Sequence, residues 1–364
     1  MNDNGVARAE RVEEVTDKVT KFMTAAVLYG KEDLKVQEVP VPSLGPDEVL
    51  IRVKAALTCG TDLKVYRQGY HARMIVPPAI FGHELAGVVA EVGETVRDFR
   101  KGMRVVAANS APCLQCRYCL RGRSNLCERL LFNNGAYAEY IRIPGPIVSQ
   151  NMLEIPGHID FSDAALVEPL ACVLRGLEET GLRSDDSIAI TGMGPIGLMF
   201  VRLAKARGAR VIAVAKRPSQ LRAARLMGAD ATVESAGTDV VEQVRRHTPD
   251  GTGADVAVEA VGTPQSWERA VQMVRRGGVV NFFGGCPRGT TVQLDTALLH
   301  YSEITIKASF HHTPAYIRKA LECISRGEIR GKDFITGQAP LARLPEVLRH
   351  MLNRNGDMKT AIMP

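Results

Sequence analysis

The sequence predicts an α/β protein of two domains, one mainly β and the other a doubly wound parallel sheet. Three observations lead there. The chain has 364 residues, longer than a single core usually grows. Its first half carries short strand patterns punctuated by Gly and Pro, and its second half alternates strand, glycine turn and helix.

Taken in order, residues 1–20 alternate acidic and basic side chains without an apolar segment and read as an N-terminal extension, not a secretory signal. Over 21–172, residues 24–28, 34–38, 48–55, 87–92 and 104–107 read as strands bounded by turn residues. After Asp185 the periodicity predicts strand 187–191 with helix 196–207, strand 211–215 with helix 220–227, strand 255–260 with helix 267–275, and strand 278–283. Parallel strands need crossover connections, so helices should cover both faces of this sheet. Beyond about Ser309 a helix over 316–326 and short strands either extend the sheet or return to the first half; periodicity leaves both open.

With 45% apolar and 24% charged residues the composition is globular. The 46 basic and 40 acidic residues give a formal charge of +6, but they are interspersed, which argues against a nucleic-acid surface. The most apolar stretch, 188–201, is broken by Gly192, Gly194 and Gly197 and falls short of a membrane span. A cytoplasmic location is expected. Eight cysteines are too few for a disulfide scaffold in so long a chain. Four of them crowd together, which points to metal in a reducing compartment.

Gly192-Met193-Gly194-Pro195-Ile196-Gly197 follows a strand and opens a helix. The first glycine permits a tight turn, the second lets the backbone approach a pyrophosphate, and the third lets helix and strand pack closely. An NAD site carries Asp or Glu at the end of the next strand for the ribose 2′-hydroxyl. Here that place reads Ala215-Lys216-Arg217, which lacks the acceptor and supplies cations for a 2′-phosphate. NADP is therefore expected over NAD, with surface residues opening a loop as the alternative reading of the two cations.

Cys113, Cys116, Cys119 and Cys127 have the spacing of a closed tetrahedral zinc site, in which four thiolates leave no open position, so that ion is expected to be structural. A second, dispersed set comprises Cys59, His83, Glu84 and Glu168. Cys, His and carboxylate ligands leave a coordination position for water or substrate, as a catalytic zinc requires; taken singly, each is equally a structural or solvated residue.

These motifs resemble the zinc-containing medium-chain dehydrogenase/reductase family, especially its sorbitol (polyol) and threonine dehydrogenase branch. Gly82-His83-Glu84, Gly87, Gly93 and Val96 match the family signature G-H-E-x2-G-x5-G-x2-V at every fixed position. The resemblance implies a GroES-like catalytic zinc-binding domain over 21–172 and 310–364, with a Rossmann cofactor domain over 173–309 between its parts. It implies Cys59 and His83 as catalytic zinc ligands, with Glu84 and Glu168 ligating directly or through water, and Thr61 as the inner hydroxyl of a proton relay. Cys172, four residues beyond Glu168, is a rival ligand; it, Cys286 and Cys323 read better as core residues. Lys64 stands where the family relay has a histidine. His311 and His312 could line the pocket, although exposed or structural roles are commoner for such residues.

The expected function is zinc-dependent hydride transfer between a secondary hydroxyl of a polyol, cyclitol or sugar-derived alcohol and NAD(P), with two zinc ions per chain, in a homodimer or homotetramer without nucleic-acid or membrane partners. Threonine or simple alcohol dehydrogenation is the alternative within the family. A zinc-stabilised nucleic-acid-binding protein is the alternative outside it, disfavoured because the cysteine lobe has no basic recognition helix beside it.

Overall fold

The computed structural model describes residues 19–70, 74–237, 239–353 and 358–364; residues 1–18 of the N-terminal extension lie outside the described residues. A six-stranded parallel sheet forms the cofactor-type half, in the order Ala231–Glu234, Arg210–Ala215, Ser187–Thr191, Ala254–Glu259, Val274–Phe282, Thr305–Ala308. Ser187–Thr191 is buried along its whole length, as a central strand covered by helices on both faces must be. The helix Pro195–Ala206 starts at Pro195 with Gly194 as its cap, because proline is preset for a first helical turn and has no N–H to leave unpaired.

The other half is antiparallel in most of its pairings. Its largest sheet runs Met152–Glu154, Arg104–Ala107, Leu85–Val92, Val49–Leu57, Thr360–Met363, Gly337–Pro340, and Tyr140–Ile143 also pairs with Val49–Leu57. The tail thus comes back to the first half, where Ile362 sits opposite Ala56. A separate three-stranded sheet sets Phe22–Gly30 between Asp33–Pro40 and Ala79–Ile80.

The helix Val167–Glu178 joins the two halves. It buries Val167, Leu170, Val173, Leu174 and Leu177, the helical spacing of one apolar face. That face shares a core with Leu57 and Ala86 of the antiparallel sheet and with Ile188 and Ile190 of the parallel one. The helix therefore carries Glu168, in its first turn, from the cofactor half towards the antiparallel half. Among the described residues no helix is long and apolar enough to cross a membrane.

Several elements differ from the expectation. The helix expected over 267–275 begins at Pro264, where Thr263 and Ser266 form a reciprocal cap, and ends at Met273; Val274 to Phe282 is strand. Gly60–Gln68 is a helix that the strand and turn pattern concealed. Cys323 is buried as expected, but Cys172 and Cys286 are only half-buried; Cys172 lines the cavity between the two halves.

Gly87 is an absolute packing requirement of the antiparallel sheet, since a Cβ there would lie 2.1 Å from the Arg52 carbonyl oxygen. Gly87→Ala is expected to cost about 1–3 kcal/mol, read as a lowered urea midpoint. Gly157→Ala, where no atom lies within 4 Å of the new carbon, should leave the midpoint unchanged.

Candidate active site

Cys59 caps the helix Gly60–Gln68: its sulfur accepts the Thr61 N–H at 3.4 Å, and the Asp62 carboxylate accepts the Cys59 N–H at 3.1 Å. The same carboxylate orients the next group. Asp62 Oδ1 lies 2.9 Å from His83 Nδ1, which leaves Nε2 as the free ligand atom. Tyr137, wholly buried, donates to Asp62 Oδ2 at 2.6 Å and lies 3.0 Å from the Leu57 carbonyl oxygen. Burial alone would lower the His83 pKa, but Asp62 outweighs it and holds the metal-free imidazole well above its usual value.

Glu84 is fully buried. Its Oε2 pairs with the ammonium of Lys359, which also donates to the Thr58 carbonyl oxygen at 2.9 Å. Burial pushes the Glu84 carboxyl up while Lys359 opposes it; Lys359, whose ammonium burial disfavours, is kept charged by Glu84 and Cys59. Glu84 Oε1 is buried without a hydrogen-bond partner. An orphaned carboxylate oxygen is costly, and the Glu84 carboxylate offers an oxygen that lies with ligand atoms of Cys59 and His83, all within 4.8 Å of one another. The donor set of thiolate, imidazole and carboxylate fits a zinc ion.

Glu168 and Thr61 line the same cavity as Cys59 and His83. Among the described residues, however, Glu168 groups most tightly with His311 and His312, not with Cys59. Burial raises its carboxyl to about 7, and Cys172 Sγ lies 3.9 Å from its Oε1. His311 and His312 are not surface residues. His312 is buried, 3.1 Å from Asn109 Oδ1 and 3.8 Å from Glu168 Oε1. His311 lines the cavity at φ 67°, an uncommon conformation for a non-glycine residue. Buried Arg175 stabilises it by donating to the carbonyl oxygens of Phe310 and His311 at 2.9 and 3.0 Å, and burial lowers the His311 ring to about 3, so it is neutral.

The opposite wall of the cavity comes from the cofactor half, through Ile196 and Phe283. Gly192 has φ 100°, a Cβ at Gly197 would lie 1.7 Å from the Gly192 carbonyl oxygen, and a Cβ at Gly194 would enter open space. The glycine turn therefore packs as the motif requires and leaves the pyrophosphate approach clear. Ala215 ends its strand buried, and the exposed Lys216 and Arg217 follow it. Lys64 reaches across the gap to the Gly285 carbonyl oxygen at 3.4 Å.

The sulfur ligand atoms of Cys113, Cys116, Cys119 and Cys127 also lie within 4.8 Å of one another. Backbone N–H groups lower the Cys113 thiol to about 6, while burial and neighbouring sulfurs push Cys119 to about 12. Such a set shares its protons unevenly without a cation and fits a closed tetrahedral ion.

Asp62, Tyr137, Lys359 and Arg175 were not among the residues the sequence singled out. Only Asp62 left a local signal, as a carboxylate three residues after the helix cap.

Comparison with known proteins follows the same division. The alcohol dehydrogenase GroES-like domain matches residues 45–155, and the zinc-binding dehydrogenase family matches 195–326. Sorbitol dehydrogenase of Bacillus subtilis (strain 168) is 34% identical over 358 residues, 96% of this chain and 99% of that protein. D-xylulose reductase A of Aspergillus niger is 30% identical over 322 residues, 85% and 88% of the two chains. A zinc-binding dehydrogenase from Sinorhizobium meliloti 1021, solved bound to NADP, superposes with a TM-score of 0.86 at 31% identity, covering 95% of this chain and all of the other.

Glu168 provides a pH test in the metal-free chain. Its folded pKa of about 7 lies above the ordinary 4.5, so the native state holds the proton longer than the unfolded state and loses stability as pH rises between those values. The advantage of Glu168→Gln over wild type should therefore grow by up to about 3 kcal/mol from pH 4.5 to 8. Urea titrations across that range check it, and a pH-independent difference contradicts it.

Proposed function

We propose, from the premise that the chain belongs to the zinc-dependent medium-chain dehydrogenases, that it oxidises a secondary hydroxyl of a polyol, cyclitol or sugar-derived alcohol with NADP, and reduces the ketone in reverse. The observation that carries this reading is the cluster of Cys59, His83 and Glu84 ligand atoms, of which Cys59 and His83 line a cavity whose far wall, Ile196 and Phe283, belongs to the dinucleotide-binding half. The likeness to sorbitol dehydrogenase and D-xylulose reductase supports a polyhydroxylated substrate. Residues 21–172 with 310–364 form the catalytic unit in this proposal, and 173–309 the cofactor unit.

Cys59, His83 and Glu84 would hold the catalytic zinc, with Glu168 beside them as a direct or water-mediated ligand; Cys113, Cys116, Cys119 and Cys127 would hold a structural one. When bound, the catalytic zinc supplies a Lewis acid that lowers the pKa of an alcohol, and NADP supplies the hydride acceptor. Asp62 fixes the His83 tautomer and Lys359 restrains Glu84, so the donor atoms need no reorganisation. Thr61, lining the cavity beside Cys59, takes the substrate proton outward. Lys64 stands in place of the histidine of the outer relay, so the proton passes from Thr61 to solvent. Gly192, Gly194 and Gly197 seat the pyrophosphate at the N-terminus of Pro195–Ala206, and Lys216 and Arg217 face the 2′-phosphate. A homodimer or homotetramer in the cytoplasm completes the proposal.

Cys59→Ser should abolish turnover and reduce zinc from two ions per chain to one while leaving the fold intact. Metal analysis with circular dichroism reads this, and undiminished turnover would remove the catalytic-zinc assignment. Ala215→Asp sets a carboxylate against the 2′-phosphate and should move the NADP/NAD ratio of kcat/KM towards NAD by about 10- to 100-fold, the equivalent of one charge-assisted hydrogen bond. An unchanged ratio discards the NADP assignment.

A further inference from the structure

Glu259 ends the strand Ala254–Glu259 and is 0% exposed, yet neither cluster of metal-type ligands nor the glycine turn uses it. A carboxyl removed from water costs several kcal/mol unless its lone pairs are filled. Here loop backbone fills them. Oε1 accepts the Val261 and Gly262 N–H groups at 2.7 and 3.0 Å, and Oε2 lies 3.2 Å from the Gly262 nitrogen. The Glu259 carbonyl oxygen accepts the N–H groups of Phe283 and Gly284 at 3.0 and 2.8 Å, and Trp267 Nε1 donates to the Gly284 carbonyl oxygen at 2.9 Å. A Cβ at Gly284 would lie 2.5 Å from the Gly262 nitrogen and 2.8 Å from Glu259 Oε2. Loops 260–262 and 283–285 are thus pressed together around one buried side chain.

Those loops stand at a defined place. A dinucleotide lies across the C-terminal ends of a doubly wound sheet where the strand order reverses, here between Ser187–Thr191 and Ala254–Glu259. Lys216 and Arg217 lie beyond Arg210–Ala215, on one side of that point; the ends of Ala254–Glu259 and Val274–Phe282 lie on the other. Val261, 47% exposed, abuts the glycine turn, where a Gly192 Cβ would meet its Cγ2 at 2.6 Å. Phe283 reaches the cavity that also holds Cys59 and His83.

We infer that Glu259 is a positioning residue for the nicotinamide half of the cofactor: by gathering loops 260–262 and 283–285 it sets the surface that holds the ring opposite Cys59 and His83. The inference rests on the dehydrogenase reading above, and the test separates the two. Calorimetry of the intact protein compares NADPH with 2′,5′-ADP, which retains the phosphorylated adenosine and lacks the nicotinamide. Glu259→Gln keeps the shape but turns an amide NH2 towards N–H donors. It should weaken NADPH about tenfold or more while 2′,5′-ADP stays within about twofold. Trp267→Phe, which keeps the ring stacked 3.9 Å from Phe282 and deletes the bond to Gly284, should give the same split and carries the test if Glu259→Gln does not fold. Equal weakening of both ligands, or of neither, overturns the inference. If wild type prefers NADH to NADPH, the cofactor assignment falls by itself, and NADH against 5′-ADP then decides on Glu259 by the same criterion.

Discussion

The buried pair between Lys359 and Glu84 is the constraint on which the rest of the centre depends. An ammonium and a carboxylate removed from water together are costly unless each is fully satisfied. Lys359 is satisfied, by Glu84 Oε2 and by the Thr58 carbonyl oxygen. Glu84 is only half satisfied: Oε1 has no hydrogen-bond partner, and its carboxylate groups with Cys59 and His83. The pair thus does two things: it ties the returning tail to Thr58, one residue before Cys59, and it leaves one carboxylate oxygen of Glu84 without a protein partner.

Around that pair the site is organised by a shortage of positive charge. Asp62, Glu84 and Glu168 are all buried, and the ammonium of Lys359 cannot balance them. His83 responds by holding a proton and Glu168 by keeping one. A divalent ion relieves both, displacing the imidazole proton and favouring the Glu168 carboxylate. The His83 proton thus answers the Asp62 carboxylate, whereas the raised Glu168 carboxyl follows from burial.

The parallel sheet was legible because its strands and helices repeat a strong periodicity and its glycine turn has a stereochemical reason at each position; Gly197 in particular has no room for a Cβ. The four-cysteine cluster was legible because its residue type and spacing are chemically restricted, whereas Cys59, His83, Glu84 and Glu168 were joined through the family resemblance and only the first three group in the structure. What escaped depends on tertiary contact. Lys359 and Arg175 carry no local signal and are buried only by the fold, and Cys172 and Cys286 read as core but are only half-buried. The pattern at 267–275 overran because Met273 and Val274 are both buried and apolar while the chain changes from helix to strand between them. Glu259 was invisible for a further reason: the hydrogen bonds from the Val261 and Gly262 N–H groups that hold it carry no residue identity.

The separation between Glu84 and Lys359 is 275 positions, and the whole parallel sheet is made between them. On the ribosome, Glu84 therefore emerges long before the ammonium that stabilises it. The pair can close only after the intervening parallel sheet has been synthesised.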